Sequence, residues 1–266
     1  MHSEIRTLKS AIANPVLFVG AGPGDPELIT VKGQKALMAA DLVIFTGSLV
    51  PRELLRWTRP EAETLSSASM HLAEIIRTIE TGHARGKRVV RLHTGDPSLY
   101  GAVFEQMMEL KKRGIPYAVI PGVTAAFAAA ASLGIEYTLP ERSQTLILTR
   151  MAGRTPVPEK EDLQSLAAHQ ASMAIYLSMS MVDEVGSILA SAYGPNSICA
   201  VVYRASQPDE KIIITPLKDL ATRVRTARIT KHALIIVGRA LEVGGEELIN
   251  KSKLYDENFN HEYRKK

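Results

Sequence analysis

Two short loops carry most of the residues whose types and spacing could do chemistry. The first, GAGPGDP, runs from Gly20 to Pro26 directly after an apolar pentapeptide, VLFVG. The second, HTGDPSLYG, spans His93 to Gly101 and again places a Gly-Asp-Pro unit just past a β-rich run. Glycines in such loops bare their amides to a ligand and take turns that other residues resist. The dinucleotide fingerprint G-x-G-x-x-G is met only at Gly20 and Gly22, because Asp25 occupies the third glycine's place and Pro23 has no amide to offer. A carboxylate there repels a pyrophosphate, so a nicotinamide site is not expected. A third segment, IPGVTAAFAAAASLGI, begins at Ile120 and becomes alanine-rich. Its small side chains suit either close helix packing or the approach of a flat ligand to the backbone.

These loops need elements to hold them. From Pro15 to Gly134, β-rich runs alternate with amphipathic stretches, the pattern of parallel strands joined by crossover helices. Strands are expected at 16–20, 41–46, 88–93 and 117–121. Thr30 predicts the cap of a helix reaching Ala40, and HLAEIIRTIETG predicts a helix stopped by Gly82. Asp96 and Pro97 predict the start of a helix ending at Gly114. All three loops then lie at carboxyl ends of strands, where open α/β sheets bind ligands. Glycine, proline and charge cluster in GIEYTLPERSQ, residues 134–144. Beyond it five strands are expected, in TLILTR, SMAIYLS, SICAVVYRA, KIIITP and HALIIVG, with helices near 159–169, 181–192 and 216–226. The turn-rich SQPDE between the third and fourth permits a hairpin, hence a mixed sheet. The expected organisation is an extension at 1–14, an α/β domain at 15–136, a linker at 137–143, a second α/β domain at 144–245 and a tail at 246–266. The first sheet is mostly parallel and the second mixed.

Among 266 residues, 45% are hydrophobic and 23% charged, which excludes disorder for most of the chain. The net charge of +4 suits an acidic small ligand and falls short of a nucleic-acid footprint. The longest alanine-rich apolar stretch, Val123 to Ile135, is thirteen residues, where a bilayer needs about 20. With no membrane span and no secretory leader pattern, a cytoplasmic protein is expected. Cys199, the one cysteine, reads as a buried strand residue. The seven histidines include no i, i+4 pair, so no metal site is expected.

The loops together describe a pocket without a phosphate clamp, with small residues beside a planar group and carboxylates that favour a cation. S-adenosylmethionine offers an adenine, a ribose and a sulfonium. Here the residues also carry a family resemblance. GAGPGDPELITVKGQKAL, HTGDPSLYGAVFEQM and VIPGVTAAFAAAA are similar to sequence blocks of the tetrapyrrole methylases, S-adenosylmethionine-dependent enzymes of corrin and sirohaem synthesis. TLILTRMAGRTPVPEKEDL, VVYRASQPDEKI and SKLYDENFNHEYR most resemble the branch acting on carbon 11 of precorrin-4 or cobalt-precorrin-4 in cobalamin synthesis.

That resemblance implies two α/β domains in a homodimer, with the cofactor in a cleft between the domains and the tetrapyrrole in an adjoining trough. It implies cofactor contacts at Pro23, Thr94, Gly95, Asp96, Leu99, Thr124 and Ala125, then at Leu177, Ala205 and Ala233 in the second domain. Displacement at an already activated sulfonium needs little acid or base help, so no triad-like residue is expected. Asp25 is the candidate for a polar role, against a plain turn cap. Some relatives carry an acid where this chain has Gly47. Ser69 and His71 are candidates for a proton role, although His71 reads equally as the start of an exposed helix. Arg150 and Arg154 are candidate partners for the substrate's carboxylates.

Overall fold

The computed structural model describes residues 14–47, 50–242 and Glu262. The expected tail and nearly all of the expected extension lie outside them. The chain divides into two units, Met1–Thr124 and Ala125–Lys266.

The first unit is built on five parallel strands, β1 (Val16–Gly20), β2 (Leu42–Phe45), β3 (Glu63–Ser66), β4 (Val89–His93) and β5 (Tyr117–Ile120), in the order β3-β2-β4-β1-β5. Side-chain alternation sends Val19, Val90 and Leu92 to one face, against Ala36 and Leu37 of α1 (Val31–Ala39). Val16, Phe18 and Val89 go to the other, against Ile75, Ile76 and Ile79 of α2 (Leu72–Ala84) and Leu110 of α3 (Phe104–Lys112). Each fully buried aliphatic contributes about 1.5–3 kcal/mol, so both faces are firmly covered. β3 was not expected from sequence: ETLS is polar, and it sits exposed at the sheet edge.

Connectivity places the functional end. The crossover after β1 passes β4 to reach β2, whereas the crossover after β4 passes β1 to reach β5. The chain therefore leaves these neighbouring strands in opposite directions, a topological switch point, where α/β sheets open a crevice.

Two helix boundaries differ from expectation. α2 continues through Gly82, which is there for packing: a Cβ at that position would lie 2.7 Å from Leu42 Cδ2. The left-handed residue past its end is Gly86, at φ 72. α3 begins at Phe104 and not at Pro97, because Tyr100 and Ala102 adopt φ 54 and φ 47 and break the helix before it starts. Thr30 does cap α1, accepting from the Gly33 amide at 3.1 Å.

The second unit starts with α4 (Ala125–Leu133). Its strands are β6 (Leu146–Arg150), β7 (Ser172–Tyr176), β8 (Ile198–Tyr203), β9 (Lys211–Pro216) and β10 (Ala233–Val237). Their order is β6-β7-β10-β8-β9, with β6 and β7 parallel and the other pairs antiparallel, including the expected β8–β9 hairpin. α5 (Leu163–Ala167), α6 (Val182–Tyr193) and α7 (Leu220–Thr226) cover one face through Leu163, Val185, Leu189, Leu220 and Val224. On the other face, Ala126, Ala128, Ala129 and Ala130 of α4 pack with Ala174, Ala200, Val202, Leu234 and Ile236. Close packing is thus what those alanines do.

The division falls ahead of α4 and not at the expected linker, 137–143. Tyr137 is buried, its hydroxyl donates to the Ala126 carbonyl at 2.7 Å, and its own carbonyl accepts from Ser172 Oγ at 2.7 Å. That start of the supposed linker is core of the second unit. Cys199 is buried as read, and burial pushes its thiol up to about 12.

Candidate cofactor site

In the first unit the three loops meet at the switch point. The Ala21 amide donates to the His93 carbonyl at 2.6 Å. Gly22 and Gly95 then pair as an antiparallel bridge, with bonds of 2.8 and 3.2 Å. A Cβ on Gly122 would stand 2.2 Å from the Gly95 carbonyl oxygen, and one on Gly20 would stand 2.6 Å from Gly122 Cα. The glycines at 20 and 122 are required because three backbones touch. Asp96 locks the junction: Oδ2 accepts from the Gly122 amide at 2.9 Å, and Oδ1 accepts from the Ser98 amide at 2.8 Å and from the Ser98 hydroxyl. Burial works to raise its pKa, but these hydrogen bonds outweigh it and hold the carboxyl below the usual range. Of the expected cofactor residues, Pro23 and Thr124 are buried here, while Thr94, Gly95, Asp96 and Leu99 are half-buried. No lysine or arginine occurs in 20–26, 93–101 or 120–125.

Asp25 accepts from the Glu27 amide at 2.8 Å and caps the short helical turn at Pro26–Leu28, as the turn-cap reading anticipates. Gly47 has φ 53, and a Cβ there would lie 2.6 Å from Ala68 Cβ, so this backbone leaves no place for an acidic side chain. His71 precedes α2 with its amide bonded to Glu74 Oε2 at 2.9 Å, and its side chain is exposed; Ser69 is exposed as well.

Sequence reasoning passed over a buried polar cluster on β4. Arg91 is 3% exposed and has no carboxylate partner among the described residues, donating instead to Gln106 Oε1 at 3.0 Å and to the Ile44 carbonyl at 3.1 Å. His93 is 1% exposed, stacks on Phe18 at 5.9 Å, and has no hydrogen-bond partner for Nε2 among the described residues. Burial first, and repulsion by Arg91 second, pull its pKa down to about 3, leaving the ring neutral at ordinary pH. The available signal was the alternation in RVVRLH, which aims Arg91 and His93 at the same covered face.

In the second unit, three expected cofactor residues gather at one end of the sheet. Leu177 follows β7, Ala205 follows β8, and Ala233 opens β10 opposite Tyr203. Four non-glycine residues near this edge adopt left-handed backbones: Leu177 (φ 52), Arg204 (φ 49), Ser206 (φ 68) and His232 (φ 58). Such strain costs about 1–3 kcal/mol per residue and gathers at functional sites. Ala205 is buried with the α4 alanines, Ala233 is half-buried, and Leu177 is 67% exposed. Ala125, at the start of α4, is half-buried.

Arg150 ends β6 at this same edge. Its guanidinium donates to the carbonyls of Met151, Thr155 and Pro156 at 3.3, 3.0 and 2.8 Å, which makes it the organiser of its own loop. Arg154, on that loop, is exposed and has no partner among the described residues.

No group of three or more histidine, cysteine or acidic residues able to hold a metal occurs among the described residues, and no helix there is long and apolar enough to cross a membrane.

Comparison with known proteins places this geometry. Residues 15–221 match the family described as Tetrapyrrole (Corrin/Porphyrin) Methylases. The chain is 55% identical to a cobalt-precorrin-4 C(11)-methyltransferase of Methanocaldococcus jannaschii, over 94% of this chain and 96% of the relative. It is 44% identical to a precorrin-4 C(11)-methyltransferase of Pseudomonas aeruginosa, over 94% and 98%. Among solved structures, a cobalt precorrin-4 methyltransferase described as a cobalamin biosynthetic enzyme superposes with TM-score 0.83 at 47% identity, over 86% of this chain and 96% of that one. A uroporphyrin-III C-methyl transferase from Thermus thermophilus, complexed with S-adenyl homocysteine, superposes with TM-score 0.70 at 28% identity, over 88% and 96%. This chain belongs to the tetrapyrrole methylases.

Proposed function

We propose that this protein transfers a methyl group from S-adenosylmethionine to carbon 11 of precorrin-4, giving precorrin-5, or performs the same reaction on cobalt-precorrin-4 in cobalamin synthesis. The observation that carries the reading is the glycine junction at the β1/β4 switch point, bridged from Gly22 to Gly95 and locked by Asp96 on Gly122. Its three loops lack lysine and arginine, which suits a cationic donor and not a phosphate. The relative crystallised with S-adenyl homocysteine, the donor lacking its methyl, supports the same ligand here. Higher identity to the relative named for the cobalt substrate favours the cobalt-bearing form.

When bound, the donor supplies a methyl group on a positively charged sulfur. The protein's part is positional. In the first unit, Pro23, Thr94, Gly95, Asp96, Leu99 and Thr124 orient the donor through backbone and small side chains. In the second, Ala125, Leu177, Ala205 and Ala233 are the proposed contacts. Asp96 carries negative charge beside the site, although its oxygens are engaged in holding the loops. In-line alignment at about 3–3.5 Å with water excluded lowers the barrier by several kcal/mol without a proton-transferring side chain. His93 is buried and neutral, and Asp25 caps a turn, so neither is assigned as a base. Arg154 is the proposed partner of a substrate carboxylate, with Arg150 presenting its loop.

The test is mass spectrometry after incubating purified protein and S-adenosylmethionine with precorrin-4 and, separately, with cobalt-precorrin-4. One added methyl group in either product supports the reading, and turnover of neither overturns it. The assembly implied by the family resemblance is a homodimer, which sedimentation equilibrium checks.

A further inference from the structure

The mechanism leaves the buried cluster on β4 without a task. Gln106, on α3, is 5% exposed and uses both ends of its amide. Oε1 accepts from Arg91 Nε at 3.0 Å, and Nε2 donates to the Ala102 carbonyl at 3.0 Å. Arg91 is fixed in turn by the Ile44 carbonyl of β2 at 3.1 Å. A continuous relay thus runs from β2 through β4 and α3 to Ala102. His93 lies on the same face of β4, two residues on from Arg91.

Ala102, where the relay ends, lies on a strained arch. Tyr100 and Ala102 have left-handed backbones, and between them a Cβ on Gly101 would stand 2.4 Å from the Pro97 carbonyl oxygen. Such conformations persist only where surrounding structure over-determines them. The arch presents Tyr100, 44% exposed, and Phe104, 67% exposed, immediately after the Asp96 loop. That loop has its own anchors, in Gly122, Ser98 and the Gly22–Gly95 bridge. The donor loop thus has its own glycine junction, while the relay reaches the arch at the Ala102 carbonyl.

We propose that Gln106 and Arg91 form a positioning relay that fixes the 100–104 arch for the flat tetrapyrrole substrate while leaving the donor loop untouched. Gln106 touches no reacting atom; it acts through Ala102. The inference rests on the methyltransferase reading and adds to it the part of the first unit that sets acceptor geometry.

Gln106→Glu separates the relay from simple folding. A carboxylate keeps an acceptor for Arg91 and pairs with its charge, but has no N–H to give the Ala102 carbonyl. Gln106→Met, neutral and of similar length, is the second variant, so that loss of fold in one leaves the other to decide. Three quantities are read on each full-length variant against wild type: affinity for S-adenosylhomocysteine by calorimetry, KM for the tetrapyrrole, and amide hydrogen exchange across 100–104. The relay predicts donor affinity within about threefold of wild type, tetrapyrrole KM raised about tenfold, the worth of one neutral hydrogen bond at the upper end of its range, and faster exchange confined to the arch. Equal weakening of both ligands, or unchanged exchange with unchanged KM, overturns it. Wild type that transfers no methyl group to a tetrapyrrole overturns the functional reading instead, and the exchange data then still decide the relay.

Discussion

Replacing His93 should remove a specific part of the protein's acid sensitivity. In the folded chain this ring is 1% exposed, lies beside Arg91 and titrates at about 3, whereas an unfolded histidine titrates near 6.5. Between those values the unfolded chain binds a proton that the folded chain refuses. Stability is therefore present above about pH 6.5 and is lost as the pH falls toward 3. From about pH 7 to about pH 5 the loss is about 2 kcal/mol, and it depends little on the folded value so long as that stays below about 4. For a chain of this size that is a shift of about 4–8 °C in midpoint. The hydrogen-bonded carboxyls of Asp41, Asp96 and Glu109 are lowered as well, but their contribution is lost mostly below about pH 5, and they are common to both proteins compared. His232 shifts in the same direction and is common to both proteins compared. The assay is equilibrium urea denaturation of wild type and His93→Leu at both pH values. The wild type should lose about 2 kcal/mol more than the variant. Equal losses, within about 0.5 kcal/mol, would refute a neutral buried imidazole.

Gly122→Ala places a methyl 2.2 Å from the Gly95 carbonyl oxygen, so the loops must part by roughly 1 Å, at about 1–3 kcal/mol; calorimetry should show at least about tenfold weaker binding of S-adenosylhomocysteine, and wild-type affinity would contradict it. Arg154→Ala should raise tetrapyrrole KM about tenfold with donor affinity unchanged, and equal loss of both in steady-state and binding measurements would point to misfolding. Asp25→Ala should cost about 1 kcal/mol of stability as a lost cap while kcat stays within about tenfold of wild type, so a hundredfold fall in kcat would restore Asp25 as a catalytic candidate.

The sequence was most informative where one physical pattern dominates. The apolar runs at 16–20 and 172–176 became β1 and β7, short and almost continuously buried, because a run of this length bounded by turn residues fits a strand covered on both faces. The three loops were legible because glycine is the residue type that such backbone contact requires. ETLS was missed, since an exposed edge strand needs no apolar face. Asp96 looked like a helix cap because the residues after it are good helix formers, yet tertiary hydrogen bonds to Gly122 and the left-handed turns at Tyr100 and Ala102 override that local preference. Arg150 shows the limit of reading charge from sequence, since its guanidinium serves three carbonyls of its own loop. No local pattern announces such partners.

The proposed catalysis rests on alignment of a methyl donor, held at the glycine junction, with one ring carbon of the acceptor. Product formed from S-adenosylmethionine carrying an isotopically labelled methyl, mapped by NMR, tests it most directly. The label should appear on carbon 11 of the macrocycle, with S-adenosylhomocysteine formed in equal amount. A label at another ring carbon, or on no tetrapyrrole at all while the donor binds, would contradict it.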